Sequence, residues 1–454
     1  MNGAFFGDLL QTISDRGRKL LSRRTNAVTR SADFVVLCED LLSGRGEASG
    51  VALAREILNR YAELTTGPRI AFFEALAHQF GPDRARMEKA IAAWQANPTD
   101  VTAAEVHLAA EPRRQELFRR LNLAPGGTAA LVRMREQLLD AMAHRPDLAV
   151  VDADFVHLFS SWFNRGFLVL REIDWSTPAS ILEKIIKHEA VHKIRSWDDL
   201  RRRIDPEDRC CYAFFHPALN DEPLIFVEVA LTNAIPGSIA PILTASREPL
   251  DASEVDTAVF YSISNCQRGL AGVSFGNFLI KQVVEEVSRD NPRLKTFVTL
   301  SPVPGFAAWL KRERQSGSTR ALSQEDLDAL SNLDTEGWWQ LDATREPVEE
   351  PLKRAAAWYF LHAKNARGFP ADPVARFHLG NGARLERIHA LADTSENGLR
   401  QSYGVMVNYL YDLDDIEKNH EAFAENRTVV TSSAVKKLAR PGPTGDLIPV
   451  ASKA

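Results

Sequence analysis

One stretch limits what this chain can fold into more than any other. Residues 258–306 begin AVFYSISNCQRGLAGVSFGNFLIKQVVEEV and end LKTFVTLSPVPGF. Val259 to Ile263 is a short β-branched and aromatic run, the pattern of a buried strand. A loop with Gly269, Gly272 and Gly276 follows, and then Phe278, Leu279, Val283, Val284 and Val287 recur at helical spacing. A second strand, Thr296 to Leu300, ends at Ser301 in the turn-rich SPVPGF. A strand feeding a glycine loop that opens onto a helix N-terminus is a device for holding phosphates. Backbone N–H groups point outward there, the helix dipole favours negative charge, and glycine lets a ligand approach the main chain. The same spacing also suits a plain strand-to-helix turn.

The rest of the chain divides in character near Gly166. From about Ser49 to Phe159 the apolar residues keep a helical period. Val51, Ala54, Leu58 and Tyr61 form one stripe, Ile70, Phe73, Leu76 and Ala77 a second, and Met87, Ile91 and Trp94 a third. Gly67-Pro68, Gly81-Pro82 and Asn97-Pro98 end them in turn. Thr102 with Glu105 fits a capping box ahead of Val106. Leu131, Met134, Leu138 and Met142 resume the pattern after Pro125-Gly126-Gly127. Beyond Gly166, Phe167 to Leu170, Tyr212 to His216, Leu224 to Leu231, Val259 to Ile263 and Phe297 to Leu300 read as strands separated by helical patterns. Helices return between Ala307 and His362, where Ser323 and Asp326 cap one and Trp338-Trp339 anchor another. The expected fold is therefore α+β: a helical N-terminal domain over 1–162, then a mixed domain over 163–439 with a helical insertion at 307–362. The turn-rich tail 440–454 is expected to be disordered.

Composition excludes several classes. A net charge of −5, from 55 Lys and Arg against 60 Asp and Glu, gives no reason to expect nucleic acid as a partner. No apolar run reaches the length needed to span a bilayer. Cys38, Cys210, Cys211 and Cys266 are too sparse for a secreted disulfide framework, and the adjacent pair has no metal-ligand spacing, so all four are expected to be free thiols. Cys266, at the glycine loop, is expected to be open to modification when the site is empty. The N-terminus lacks the order of a secretory signal, though its basic, amphipathic run toward Arg24 leaves organelle targeting open; cytoplasm is the expected location.

Candidate chemistry lies at a few positions. His188-Glu189-Ala190-Val191-His192 spells H-E-x-x-H, which on a helix sets two histidines on one face for zinc, with Glu189 as general base. The stretch ILEKIIKHEAVHKI is equally an amphipathic core helix, with Ile181, Ile185, Ile186, Val191 and Ile194 inward. Ser301 ends a strand in a loop stiffened by Pro302 and Pro304, without the G-x-S-x-G elbow of a hydrolase nucleophile. His378, between Phe377 and Leu379, has the surroundings of a structural histidine, and His216 before Pro217 is read the same way. Tyr409 and Tyr411 share a face if VNYLY is a strand, with nothing to choose between site and core.

Five strings taken together are more specific: FLVLREIDWSTPASILEKI (167–185), HPALNDEPLIFVEVALT (216–232), SISNCQRGLAGVSFG (262–276), LSPVPGF (300–306) and FHLGNGARL (377–385). In order and approximate spacing, over roughly 165–411, they resemble the malonyl-CoA decarboxylase family. The resemblance implies a helical domain followed by a catalytic domain with the acetyl-CoA-binding fold of the GNAT acyltransferases. It implies conversion of malonyl-CoA to acetyl-CoA and carbon dioxide without metal or organic cofactor, in a homo-oligomer assembled through the helical domain. Ser301 and His378 match the family's active-site serine and histidine. The segment Ala271, Gly272, Val273, Ser274, Phe275, Gly276 and Asn277 matches its CoA-binding loop, with Ser301 and His378 also lining the substrate site. The family's loop carries an acidic residue where this chain has Ser274, so no carboxylate role carries over. The loop is also longer than the acyltransferase R-x-x-G-x-G/A pattern, to which Arg268-Gly269 and Gly272 align only with an insertion. An acyl-CoA-dependent N-acyltransferase, a non-catalytic acyl-CoA-binding regulator and a zinc protease remain as rivals.

Overall fold

The computed structural model describes residues 31–43, 47–251, 253–273, 279–316 and 319–439. The described residues fall into two compact units, one within 1–169 with 215–222 and 267–273, the other within 170–214 with 223–266 and 279–439. Among the described residues no helix is long and apolar enough to cross a membrane.

The first unit contains α1 (Ser31–Leu42), α2 (Glu47–Glu63), α3 (Thr66–His78), α4 (Arg84–Ala96), α5 (Asp100–Ala110), α6 (Arg113–Asn122), α7 (Gly127–Met142) and α8 (Ala149–Trp162). The first two stripes read from the sequence are buried, except for half-exposed Ile70 and Ala77. The third is not: Trp94 is 43% exposed and Ala90 is the buried residue of α4. The capping box of α5 is also displaced. Thr99 accepts from the Thr102 N–H, and Thr102 replies to the Thr99 N–H, so the helix begins at Asp100. Inside, Arg114 pairs with Asp154, whose other oxygen accepts from Gln115 (2.6 Å), and the remaining guanidinium nitrogens reach the carbonyls of Leu76 and Val150.

The second unit is built on one mixed eight-stranded sheet, ordered β1-β2-β3-β4-β5-β8-β6 with β7 on β8. Its strands are β1 (Val169–Glu172), β2 (Arg209–Phe215), β3 (Pro223–Thr232), β4 (Thr257–Asn265), β5 (Thr296–Thr299), β6 (Ser301–Pro302), β7 (Arg384–His389) and β8 (Met406–Leu410). Its helices are α9 (Ala179–His188), α10 (Trp197–Ile204), α11 (Ala240–Leu243), α12 (Leu279–Asp290), α13 (Phe306–Gln315), α14 (Gln324–Leu330), α15 (Asp342–His362), α16 (Pro373–Gly380), α17 (Glu396–Ser402), α18 (Ile416–Asn426) and α19 (Ser433–Leu438). The α+β expectation holds, and the five strands read from sequence are present with ends moved by one to three residues. Trp338 and Trp339 lie in the turn before α15 rather than on a helix.

Two features of this sheet set up the site. The 258–306 stretch forms a parallel pair, β4 with β5, which needs a crossover; α12 supplies it and buries Leu279, Ile280, Val283, Val284 and Val287. Their register runs from Thr257↔Thr296 to Phe260↔Thr299 and stops there. β4 continues to Asn265, whereas the chain after Thr299 turns to pair with β8 at Ser301↔Val407. Two parallel strands thus part just before Ser301. On the other side of β4 the register with β3 shifts between Glu228 and Val229, leaving Tyr261 as an extra, bulged residue.

Candidate functional site

His378 stands in the last turn of α16, a short helix with Pro373 at its start and Asp372 as N-cap, accepting from the Ala375 N–H at 2.8 Å. Ser301 and Thr299, two residues apart on extended chain, point to the same side. The fold brings the sequence-distant pair together: His378 Nε2 lies 3.2 Å from Ser301 Oγ. Both residues are buried, at 3% and 5% exposure. The Ser301 hydroxyl donates to Thr299 Oγ1 (2.9 Å), which also accepts the Tyr409 N–H (3.1 Å). On the far side of the imidazole, Nδ1 meets the Tyr411 hydroxyl at 2.8 Å. The Tyr409 ring stacks on the imidazole with centroids 4.6 Å apart and planes 24° from parallel. Both tyrosines of VNYLY are buried and touch His378.

Burial decides the charge here. It pushes His378 from its ordinary 6.5 down to about 3, because a cation has no water or counter-charge to replace its hydration. Burial likewise holds the hydroxyls of Tyr409 and Tyr411 far above the ordinary tyrosine range. At neutral pH the cluster is a neutral imidazole between neutral hydroxyls. Asp372, beneath it at the start of α16, is pushed up to about 6 by burial, against the pull of backbone N–H donors.

Asn408 locks the strand ends behind the pair. Its Nδ2 donates to the carbonyls of Thr299 (2.8 Å) and Pro236 (3.2 Å), and its Oδ1 meets His389 Nε2 at 2.6 Å. Sequence reasoning passed over Thr299 and Asn408. For Thr299 a signal existed, the two-residue period that puts it on the face of Ser301. For Asn408 there was none, since its partners come from three distant segments.

The glycine loop is described over 266–273 only. Ser274, Phe275, Gly276 and Asn277 lie outside the described residues. Gly272 has φ +77 with open space where a Cβ would stand, as a backbone-lined turn requires. Ala271 and Gly272 are exposed, and Val273 is buried. Gly269 is glycine for packing: a Cβ there would overlap the backbone carbonyl of Val132 on α7. Arg135 of the same helix donates to the Gly269 carbonyl at 2.8 Å and to Asp152 at 2.8 Å. Arg268 is paired with Asp140 and lies 3.7 Å from Glu136. One of the loop's glycines therefore serves a helix contact.

The H-E-x-x-H string is not helical throughout. α9 ends at His188, and Glu189 leaves it with φ −65 and ψ 110. His188 and His192 therefore do not share a helix face, and among the described residues no cluster of three His, Cys, Asp or Glu is arranged to hold a metal. Glu189 instead accepts from Ser262 (2.8 Å), Ser264 (3.1 Å) and the N–H groups of Val191 (2.9 Å) and His192 (2.7 Å). Nearby, Glu228 pairs with Arg203 (3.1 Å) and is pushed up to about 8, first by burial and then by the like charge of Glu189. His216 uses both ring nitrogens, Nδ1 accepting from the Ala218 N–H and Nε2 reaching the Trp162 carbonyl, each at 3.1 Å. None of the four cysteines is in a disulfide; Cys38 and Cys211 are buried, Cys210 is half-buried, and Cys266 is buried too, against the accessibility expected from its place at the glycine loop.

With this geometry in hand, known proteins supply a context. Residues 80–163 match the family model for the malonyl-CoA decarboxylase N-terminal domain, and residues 166–446 match that for the malonyl-CoA decarboxylase C-terminal domain. A crystal structure of malonyl-CoA decarboxylase from Rhodopseudomonas palustris is 59% identical, with TM-score 0.87, covering 90% of this chain and 100% of that one. The corresponding protein from Agrobacterium vitis is 56% identical, with TM-score 0.85 and the same coverage. A protein of Anser anser anser named malonyl-CoA decarboxylase, mitochondrial, is 36% identical over 413 residues, 84% of this chain and 82% of its own.

Proposed function

Because the chain belongs to the malonyl-CoA decarboxylase family, a family of carbon–carbon lyases, we propose that it converts malonyl-CoA to acetyl-CoA and carbon dioxide at the Ser301–His378 pair. The observation that carries this assignment is the 3.2 Å contact between Nε2 and Oγ of two residues 77 positions apart. The substrate carboxylate leaves as carbon dioxide, and its bonding pair passes into the thioester as an enolate. That enolate takes one proton at C2, so each turnover consumes one proton. His378 supplies it. Ser301 orients the carboxylate so that the breaking bond aligns with the π system, or relays its proton. A positioned acid contributes on the order of 10²–10⁴ in rate, and each donor to the enolate oxygen roughly 3–4 kcal/mol.

The electrostatics support the role. Burial alone keeps His378 neutral. A malonyl carboxylate brought beside it is an opposite charge, which favours the protonated imidazole by roughly 1–3 pK units at close range. Starting from about 3, that shift still leaves the ring neutral at pH 7, so the proton comes from the N–H of the neutral ring and is restored from water after turnover. The thioester itself is the electron sink, so the chemistry asks for no further cofactor.

The CoA pyrophosphate is assigned to 271–277, supported by the exposed, positive-φ turn at Gly272. We also propose the division into a helical domain over 1–162 and a catalytic domain over 163–439, a homo-oligomer assembled through the first, and a cytoplasmic location, although the curated relatives bear the word mitochondrial in their names. Sedimentation of the intact chain and of 163–439 tests the assembly, and cell fractionation the location.

The central test is incubation of purified protein with malonyl-CoA alone, with acetyl-CoA as readout. His378→Ala removes the proton donor and should lower turnover by about 10² or more, and Ser301→Ala should lower it through lost orientation. Because the two act on one step, the double variant should be little worse than the poorer single one. Wild-type turnover in His378→Ala would end the assignment.

A further inference from the structure

We propose that Thr299 is a positioning residue that fixes which nitrogen of His378 carries the proton, and with it the direction in which His378 can act. The proposal deepens the decarboxylase reading and rests on it for its consequence in turnover. A hydroxyl has one hydrogen and two lone pairs. On Thr299 Oγ1 the two lone pairs are taken, one by the Tyr409 N–H and one by the Ser301 hydroxyl hydrogen. Ser301 therefore has no hydrogen left for its contact with His378. The 3.2 Å contact to Nε2 is a hydrogen bond only if Nε2 bears the hydrogen and Ser301 Oγ accepts it. Neutral imidazole carries a single N–H. Nδ1 is then bare, and at 2.8 Å the Tyr411 hydroxyl must donate to it. One polarity runs through the chain: Tyr411 O–H to Nδ1, Nε2–H to Ser301, Ser301 O–H to Thr299.

The origin of that direction is the backbone. The Tyr409 N–H is a donor that cannot reverse, and it lies on β8, held against Thr299 by Asn408. Strand pairing thus dictates a tautomer two side chains away. The chemical consequence is specific. A histidine with hydrogen on Nε2 presents an acid to the Ser301 side, where the reacting C2 is assigned. The opposite tautomer would present a lone pair there and could only act as a base. Burial of His378, which keeps it neutral, is what makes the tautomer matter.

The test is ¹⁵N NMR of histidine-labelled full-length protein, with the His378 signals identified by their absence in His378→Gln. Wild type should show a bare, pyridine-type Nδ1 and a protonated, pyrrole-type Nε2. In Thr299→Val the Ser301 hydroxyl loses its acceptor and is free to donate to Nε2, so the pattern should invert or become a mixture. Thr299→Ser keeps the hydroxyl and should restore the wild-type pattern. Turnover should follow: kcat lower by roughly 10²-fold in Thr299→Val, with KM for malonyl-CoA little changed, and recovered in Thr299→Ser. A protonated Nδ1 in wild type overturns the proposal without any variant having to fold. So does an unchanged tautomer in folded Thr299→Val. Because the tautomer is read without turnover, a wild type inactive on malonyl-CoA but with Nε2–H would sink the decarboxylase reading and leave the tautomer assignment standing.

Discussion

Acidification from pH 7 to pH 5 probes the buried imidazole that the proposed chemistry depends on. His378 is pushed from 6.5 to about 3 in the folded protein. Between those values the unfolded chain binds a proton that the folded chain refuses. The stability contributed by His378 is therefore present above 6.5 and lost as the pH falls toward 3. At pH 5 the unfolded histidine is protonated roughly 30 to 1 while the folded one stays neutral, which amounts to about 2 kcal/mol of lost stability. His192, pushed to about 4 chiefly by burial, adds a loss of the same sign. The His378 share is isolated by comparing wild type with His378→Asn in urea unfolding at pH 7, 6 and 5. Terms common to both proteins, His192 included, cancel in the difference. Wild type should lose about 2 kcal/mol more than the variant across this range. Equal losses would mean that His378 titrates normally, and the picture of a neutral imidazole held by burial would be wrong.

Two further outcomes follow from the packing. Gly269→Ala forces a methyl onto the Val132 carbonyl and should cost roughly 1–3 kcal/mol in thermal unfolding, more than Gly272→Ala, where only the positive φ is strained, at about 1 kcal/mol; equal costs would remove the helix contact as the reason for Gly269. Gly272→Ala, being the milder change, is also the variant in which weakened CoA binding should be measured. Asp154→Ala leaves buried Arg114 without its counter-charge and should destabilise by roughly 3–5 kcal/mol, whereas Arg114→Met with Asp154→Leu should recover most of the loss; a double variant as unstable as the single would refute the desolvation account.

Much of the scaffold could be read directly. Helical stripes closed by Gly-Pro pairs, five β-rich runs and the strand–loop–helix–strand at 258–306 are local patterns, and local patterns follow from backbone geometry that each residue type prefers. The misreadings are equally instructive. Thr102 caps with Thr99 rather than Glu105, because the helix starts one turn earlier than its apolar period shows. The H-E-x-x-H string looked helical, yet Ser262, Ser264 and two local N–H groups compete for the Glu189 carboxylate, and the helix ends where that network begins. β7 and β6 escaped notice because RLERIH and a two-residue bridge carry no period that differs from loop.

The sequence by itself determined the α+β class, the family resemblance and the identity of the candidate pair Ser301 and His378, since those rest on residue types and their order. Only the tertiary structure decided what the pair can do. Parting of β4 from β5 places Ser301 beside His378, β8 brings Tyr409 and Tyr411 to the ring, and burial from all sides removes its charge. Each of these effects is a contact between segments dozens of residues apart. A hydrogen-bond direction or a depressed pKa is a property of such surroundings, and no single stretch of chain contains them.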